Sequence, residues 1–155
     1  MRSVLFVCHG NICRSPMAAF ILQSMAESAG WEDSIRIDSC AVSGEEEGNP
    51  MDRRAVAILL AHGIRPGPHE ARRFSRADYE AFDDILCMEE RNRRGLLRLI
   101  GDDPSGKIHL LLDYTDDPHD IDDPWYTGDF ETAYREIATG CMGYLQQFHL
   151  VSIKE

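Results

Sequence analysis

The stretch over residues 4–16, VLFVCHGNICRSP, constrains the fold most tightly. Val4, Leu5, Phe6 and Val7 form a continuous apolar run, as a strand covered on both faces requires. Ser15 followed by Pro16 reads as a helix start, with serine at the N-cap and proline at the first helical position. Cys8, Gly10, Asn11 and Arg14 lie between. A strand that feeds a tight loop and then a helix aims several backbone N–H groups at one spot. That is an anion site before any side chain is counted.

The rest of the chain keeps alternating. A helix from Ser15 to about Ala29 stops at Gly30, with Met17, Phe20, Ile21, Met25 and Ala29 recurring on one face. Residues 35–40 alternate and read as a second strand. A loop over 41–50 follows, broken by Gly44, Gly48 and Pro50. Asp52 opens a helix through Val56, Leu59 and Leu60 that Gly63 ends. Ser75 and Asp78 mark a capping box for a short helix. Residues 84–88 read as a third strand. Glu89 and Glu90 then suit the N-terminus of a helix ending near Ile100. Residues 107–112 read as a fourth strand, 113–128 as a long acidic loop and 129–148 as the last helix. This alternation predicts one α/β domain over residues 1–155, with a four-stranded parallel sheet and helices on both faces. Such sheets bind ligands at the carboxyl ends of their strands. The Cys8 loop and the acidic loop both belong to that edge.

Composition narrows the partners. The 155 residues, 43% hydrophobic, suffice for one compact domain. A net charge of -11 makes nucleic acid a poor partner. The local gathering of Arg91, Arg93, Arg94 and Arg98 reads as a solvated helix face. No run approaches the roughly 18 apolar residues of a membrane span, and the N-terminus lacks a signal-peptide pattern. No membrane partner and a cytoplasmic location are therefore expected. The cysteines at 8, 13, 40, 87 and 141 are scattered, which suits reduced thiols better than a disulfide framework. Cys40, Cys87 and Cys141 fall on apolar elements and read as core. His62 and His69 read as structural. His109, His119 and His149 lack ligand spacing, so no metal is expected.

Cys8 and Arg14 form a C-x5-R pair. The spacing says little by itself, because Cys87 and Arg93 repeat it. The second copy encloses Glu89 and Glu90, which would repel a phosphate, and has no glycine. The first encloses His9, Gly10, Asn11, Ile12 and Cys13. There Gly10 permits close backbone approach and Asn11 tolerates a left-handed conformation. The pattern is not that of a Walker loop. Converging N–H groups, a helix N-terminus and Arg14 each favour a Cys8 thiolate. The same groups fit three phosphoryl oxygens, two of them held by the fork of Arg14. Cys8 can then attack phosphorus in line, and Ser15 can donate a hydrogen bond to the sulfur. Expelling a poor leaving group needs an acid on the far side. Taken alone, residues 122–126, DDPWY, read as a turn start. Paired with the Cys8 loop, they offer Asp123, a partly desolvated carboxyl beside Trp125 and Tyr126. It can protonate the leaving oxygen and then serve as base for the water that cleaves the phosphocysteine.

The segment CHGNICRSP closely resembles the signature of the low-molecular-weight protein tyrosine phosphatases, and DPWY resembles their general-acid loop. The likeness runs on through IDSCAVSG, GNPMDRRA, HEARR, DDILCMEERN and DFETAY. The resemblance implies a flavodoxin-like phosphotyrosine phosphatase I fold with strand order 2-1-3-4. It makes Cys8 the nucleophile, Arg14 the phosphate clamp and Asp123 the acid. Asn11 and Ser15 hold the loop and Ser39 supports Asn11. No metal or cofactor is implied. The expected substrates are a phosphotyrosine protein or a small aryl phosphate, with phosphate and other oxyanions as inhibitors. The expected state is a monomer, a weak dimer being the alternative.

Two positions depart from the family pattern. Position 9, usually apolar beside the substrate ring, is His9. Position 45, usually aromatic or bulky on the opposite wall, is Glu45. Trp125 and Tyr126 remain as aromatic wall surfaces. His9 can help hold the Cys8 thiolate or stand by as an exposed imidazole. The family's redox-sheltering disulfide would pair Cys13 with Cys8; packing at the start of the helix is the other reading of Cys13. Two alternatives to a phosphatase remain. A thiol-linked arsenate reductase needs two further exposed cysteines close together, and only Cys87 is near. A silent phosphate-binding module would typically have lost Cys8, Arg14 or Asp123.

Overall fold

A computed structural model describes residues 1–154, with side chains through Phe148. Four parallel strands, β1 (Arg2–Cys8), β2 (Ile35–Ala41), β3 (Asp84–Cys87) and β4 (Ile108–Leu110), form one sheet in the order β2-β1-β3-β4. Its helices are α1 (Arg14–Ala29), α2 (Arg53–Ala61), α3 (Arg76–Ala81), α4 (Glu90–Ile100), the single turn α5 (Pro124–Thr127) and α6 (Phe130–Lys154). Val4 and Phe6 face the core shared with α1, α2 and α6, whereas Leu5 and Val7 face the one shared with α3 and α4. All four are fully buried, which is why the run cannot alternate with polar residues. Burying each such side chain contributes about 1.5–3 kcal/mol. The α/β class and two-sided helix cover are those read from the sequence pattern, and the strand order is the one the family resemblance implies.

The register fixes the functional edge. Val7 pairs with Cys40 of β2 and with Cys87 of β3, so β1, β2 and β3 all finish beside Cys8. Met88, just past β3, accepts the N–H of Ile121 at 2.9 Å, which brings the acidic segment back to that edge.

Several boundaries differ from the sequence reading. Helix α1 begins at Arg14, with Cys13 rather than Ser15 at the N-cap and no side-chain capping bond. Ser15 and Pro16 are thus its second and third residues, because the buried Ser15 hydroxyl is used within the Cys8 loop. Gly30 caps its far end at φ 77°, as expected. On α1, Ala29 is exposed and Leu22 and Ala26 complete the buried face instead. β4 is only three residues long. The chain then turns into a 3-10 helix over Leu111–Tyr114, where Asp113 takes the Leu110 N–H at 3.0 Å. Buried Leu111 and Leu112 pack inward from that turn rather than from a strand. Helix α6 closes onto it through two glycines. A Cβ at Gly140 would lie 2.5 Å from Leu111 Cγ, and one at Gly143 would collide with the Tyr114 carbonyl. His149 lies beyond the described side chains. Among the described residues, no helix is long and apolar enough to cross a membrane.

Candidate active site

Cys8 ends β1 and lies at the floor of a cleft of about 160 Å³ lined by His9, Gly10, Ile12, Cys13, Arg14, Glu45, Glu46, Asp123, Trp125 and Tyr126. The structure therefore gathers both loops and both walls singled out above. A larger apolar groove of about 560 Å³ runs between α1 and α6. It contains none of these residues and none of their chemistry.

The Cys8 loop is built around Asn11, which is fully buried with φ 60°. That left-handed backbone turns its N–H onto Cys8 Sγ at 3.3 Å. Its Nδ2 donates to Ser15 Oγ at 2.8 Å and to Ser39 Oγ at 2.9 Å. Because Ser15 Oγ accepts there, its own hydrogen is left to be shared between Cys8 Sγ, 3.0 Å away, and the Cys40 carbonyl at 3.3 Å. Gly10 is not the strained position. A Cβ there would have the flexible Glu46 stem as its nearest neighbour at 3.4 Å, with Ile12 Cγ1 at 3.9 Å.

Arg14 is 1% exposed. Its Nη1 donates to the Ile121 carbonyl at 2.6 Å and its Nη2 to Glu89 at 3.1 Å. Nη2 also lies 3.4 Å from the Asp123 carboxylate. These anions and the Cys8 sulfur hold the guanidinium above its ordinary value, against the penalty of burial. Asp123 is the N-cap of α5, and its Oδ1 accepts the Trp125 N–H at 3.0 Å. The sequence anticipated aromatic faces beside this carboxyl. The groups on it are instead a backbone N–H and a guanidinium, with Trp125 and Tyr126 exposed at the mouth.

On the walls, His9 Nε2 lies 3.8 Å from Glu45 Oε2, so the two unusual residues face each other. Cys13 is buried, and burial pushes its thiol well up. Burial does the same to Cys40, Cys87 and Cys141, all within the core. The decoy pair comes apart, with Cys87 sealed in β3 and Arg93 bonded to Glu90 at 2.6 Å. Among the described residues, no group of three or more His, Cys, Asp or Glu could hold a metal ion.

Four partners were not read from the sequence. His69 Nε2 donates to the Asn11 carbonyl at 2.7 Å, and the Arg72 N–H donates to Asn11 Oδ1 at 3.0 Å. Glu89 and the Ile121 carbonyl hold Arg14. The strand order carried a signal for Glu89: a residue two places past Cys87 must lie beside the end of β1. His69 and Arg72 lie in an aperiodic connection, where the only signal was the family likeness of HEARR, residues 69–73.

A family model described as low molecular weight phosphotyrosine protein phosphatase matches residues 3–152. The chain is 41% identical to the human protein of that name, over 96% of each chain. It is 42% identical to the low molecular weight protein-tyrosine-phosphatase YfkJ of Bacillus subtilis, over 91% of this chain and 92% of that one. The crystal structure of YfkJ superposes with a TM-score of 0.93, covering 96% of this chain and 95% of that one at 40% identity. With the profile spanning nearly the whole chain and the full-length fold shared, the chain belongs to the low molecular weight phosphotyrosine protein phosphatase family.

Proposed function

We propose that this protein hydrolyses phosphotyrosine and small aryl phosphate monoesters through a cysteinyl-phosphate intermediate. One observation carries the reading: the Cys8 sulfur receives the Asn11 N–H and faces the Ser15 hydroxyl, with Arg14 and Asp123 lining the same cleft. The phosphoryl group enters over the N–H groups of residues 9–15, and its oxygens take up the Arg14 fork. Cys8 Sγ attacks phosphorus in line and the P–O bond to the ring breaks. Asp123 gives its proton to the departing oxygen. Water then attacks phosphocysteine, Asp123 takes the water's proton, and Cys8 leaves as a thiolate stabilised by Ser15. Phosphate is the product, so phosphate and related oxyanions compete for the same cradle. No step requires a metal or cofactor.

The slot walls are His9, Glu45, Trp125 and Tyr126. Ser39 supports the loop through Asn11. Cys13, a protonated buried thiol, is the partner that would condense with a Cys8 sulfenic acid, releasing water and forming a disulfide that a thiol reductant reopens. The expected state is a monomer. Hydrolysis of p-nitrophenyl phosphate and a phosphotyrosine peptide by wild type but not by Cys8→Ser supports the reading. Turnover retained in Cys8→Ser defeats it. Asp123→Ala is expected to slow phosphotyrosine hydrolysis by about 10²–10⁴-fold.

A further inference from the structure

We propose that Arg54 is a positioning residue for the acid loop, tying it to the phosphate loop so that Asp123 stays aimed when Arg14 turns to substrate. The inference rests on the phosphatase reading above. Arg54 is the second residue of α2, whose N-cap, Asp52, accepts its N–H at 2.8 Å. The Arg54 guanidinium also grips the Asp52 carboxylate along one edge, Nε to Oδ1 at 3.1 Å and Nη2 to Oδ2 at 3.0 Å. Asp52 in turn donates its N–H to the Ile12 carbonyl at 2.9 Å, inside the Cys8 loop. On its other side, Arg54 Cζ lies 5.3 Å from the Trp125 ring centroid and 4.8 Å from that of Phe130. Trp125 is the second residue of α5 and Phe130 opens α6 just after it, and the Trp125 N–H holds Asp123 Oδ1. The path from Ile12 to Asp123 therefore runs through one guanidinium, planar enough to bind a carboxylate at its edge and rings at its face.

A second anchor is needed because the first is temporary. In the free enzyme Asp123 lies 3.4 Å from Arg14. An arriving phosphoryl group competes for that guanidinium, and a protonated Asp123 has no charge to hold it. Arg54 is independent of this exchange. It is paired with Asp52 and is not among the residues that line the cleft.

The test uses the full chain with Arg54→Gln and Arg54→Lys. The measurement is kcat/KM across aryl phosphates from phenyl phosphate to 2,4-dinitrophenyl phosphate, with the rate of Cys8 alkylation by iodoacetate alongside. Expelling phenoxide needs the acid, whereas expelling dinitrophenoxide does not. Arg54→Gln is expected to lose about tenfold on phenyl phosphate and about twofold or less on dinitrophenyl phosphate, with alkylation unchanged. Arg54→Lys, which keeps the charge but not the plane, falls between. Equal loss on every leaving group, or none on any, overturns the proposal. If Arg54→Gln does not fold, the same series on Arg54→Lys decides: a slope parallel to wild type overturns it. Absence of turnover in wild type is a different result, which defeats the phosphatase reading and this inference with it.

Discussion

Five polar contacts converge on Asn11, from Cys8, Ser15, Ser39, Arg72 and His69. Replacing it with alanine leaves both serines and the Arg72 N–H short of a partner. It also asks alanine, which lacks the polar side chain that lets asparagine tolerate the left-handed region, to hold φ 60°. Each orphaned buried group costs about 1–3 kcal/mol. Asn11→Ala is therefore expected to lower the unfolding free energy by about 3 kcal/mol. Urea denaturation reads this directly, and a loss under about 1 kcal/mol contradicts it. Asn11 was legible from the sequence because a tight loop needs a left-handed residue. Ser15 was legible as important, but its cap role was misread. A hydroxyl at a helix start looks like an N-cap until a buried amide claims it. At the slot wall, Glu45 faces His9 where an apolar pair would stack on a ring. Glu45→Tyr is expected to lower KM for an aryl phosphate severalfold with kcat little changed. An unchanged KM sinks the wall assignment.

The acid loop shows what an element adds to its residues. Its sequence, acidic and proline-punctuated, reads as a long loop with a turn start at residues 122–126. In the structure it is a chain of short anchored pieces: the 3-10 turn, the Ile121 link to Met88 and the single turn of α5. The two turns are closed by local side-chain bonds, but the Ile121 link to Met88 reaches across 33 residues, which local pattern cannot reveal. β4 was overlong in the sequence reading for the same reason, since buried Leu111 and Leu112 look like strand residues. His119 pins the loop to α6. Its Nδ1 faces the Asp117 carbonyl at 2.8 Å and its Nε2 faces Glu136. Both neighbours are acceptors, which suits the doubly protonated ring. The bond to Glu136, with help from Asp117, raises the His119 value above 6.5. A raised folded-state value stabilises fully below the unfolded value, and the contribution fades as pH rises through the folded one. Wild type should thus exceed His119→Gln in Tm near pH 6, with the gap narrowing towards pH 9. A gap that widens with pH contradicts the clamp.

At the scale of the molecule, strand–helix alternation and a four-residue apolar run sufficed to predict the parallel sheet, its two helix layers and its functional edge. What places Cys8 and Asp123 together is the sheet order, since residues 115 positions apart in sequence meet only because β3 lies between β1 and β4. The net charge of -11 acts on the whole surface. With Glu45 and Glu46 at the cleft, it is expected to favour peptides with basic residues near the phosphotyrosine. Such peptides should show lower KM than acidic ones at low salt, with the difference shrinking as ionic strength rises. Equal or better turnover of acidic peptides overturns this preference.

The covalent intermediate tests the central claim most directly. An Asp123→Asn variant mixed with 2,4-dinitrophenyl phosphate, quenched in acid and analysed by peptide mass spectrometry, should carry a phosphoryl group on Cys8. Its leaving group departs without help, while water lacks its base. Turnover by this variant and by wild type with no phosphoryl adduct on Cys8, or with the adduct on another residue, contradicts the account.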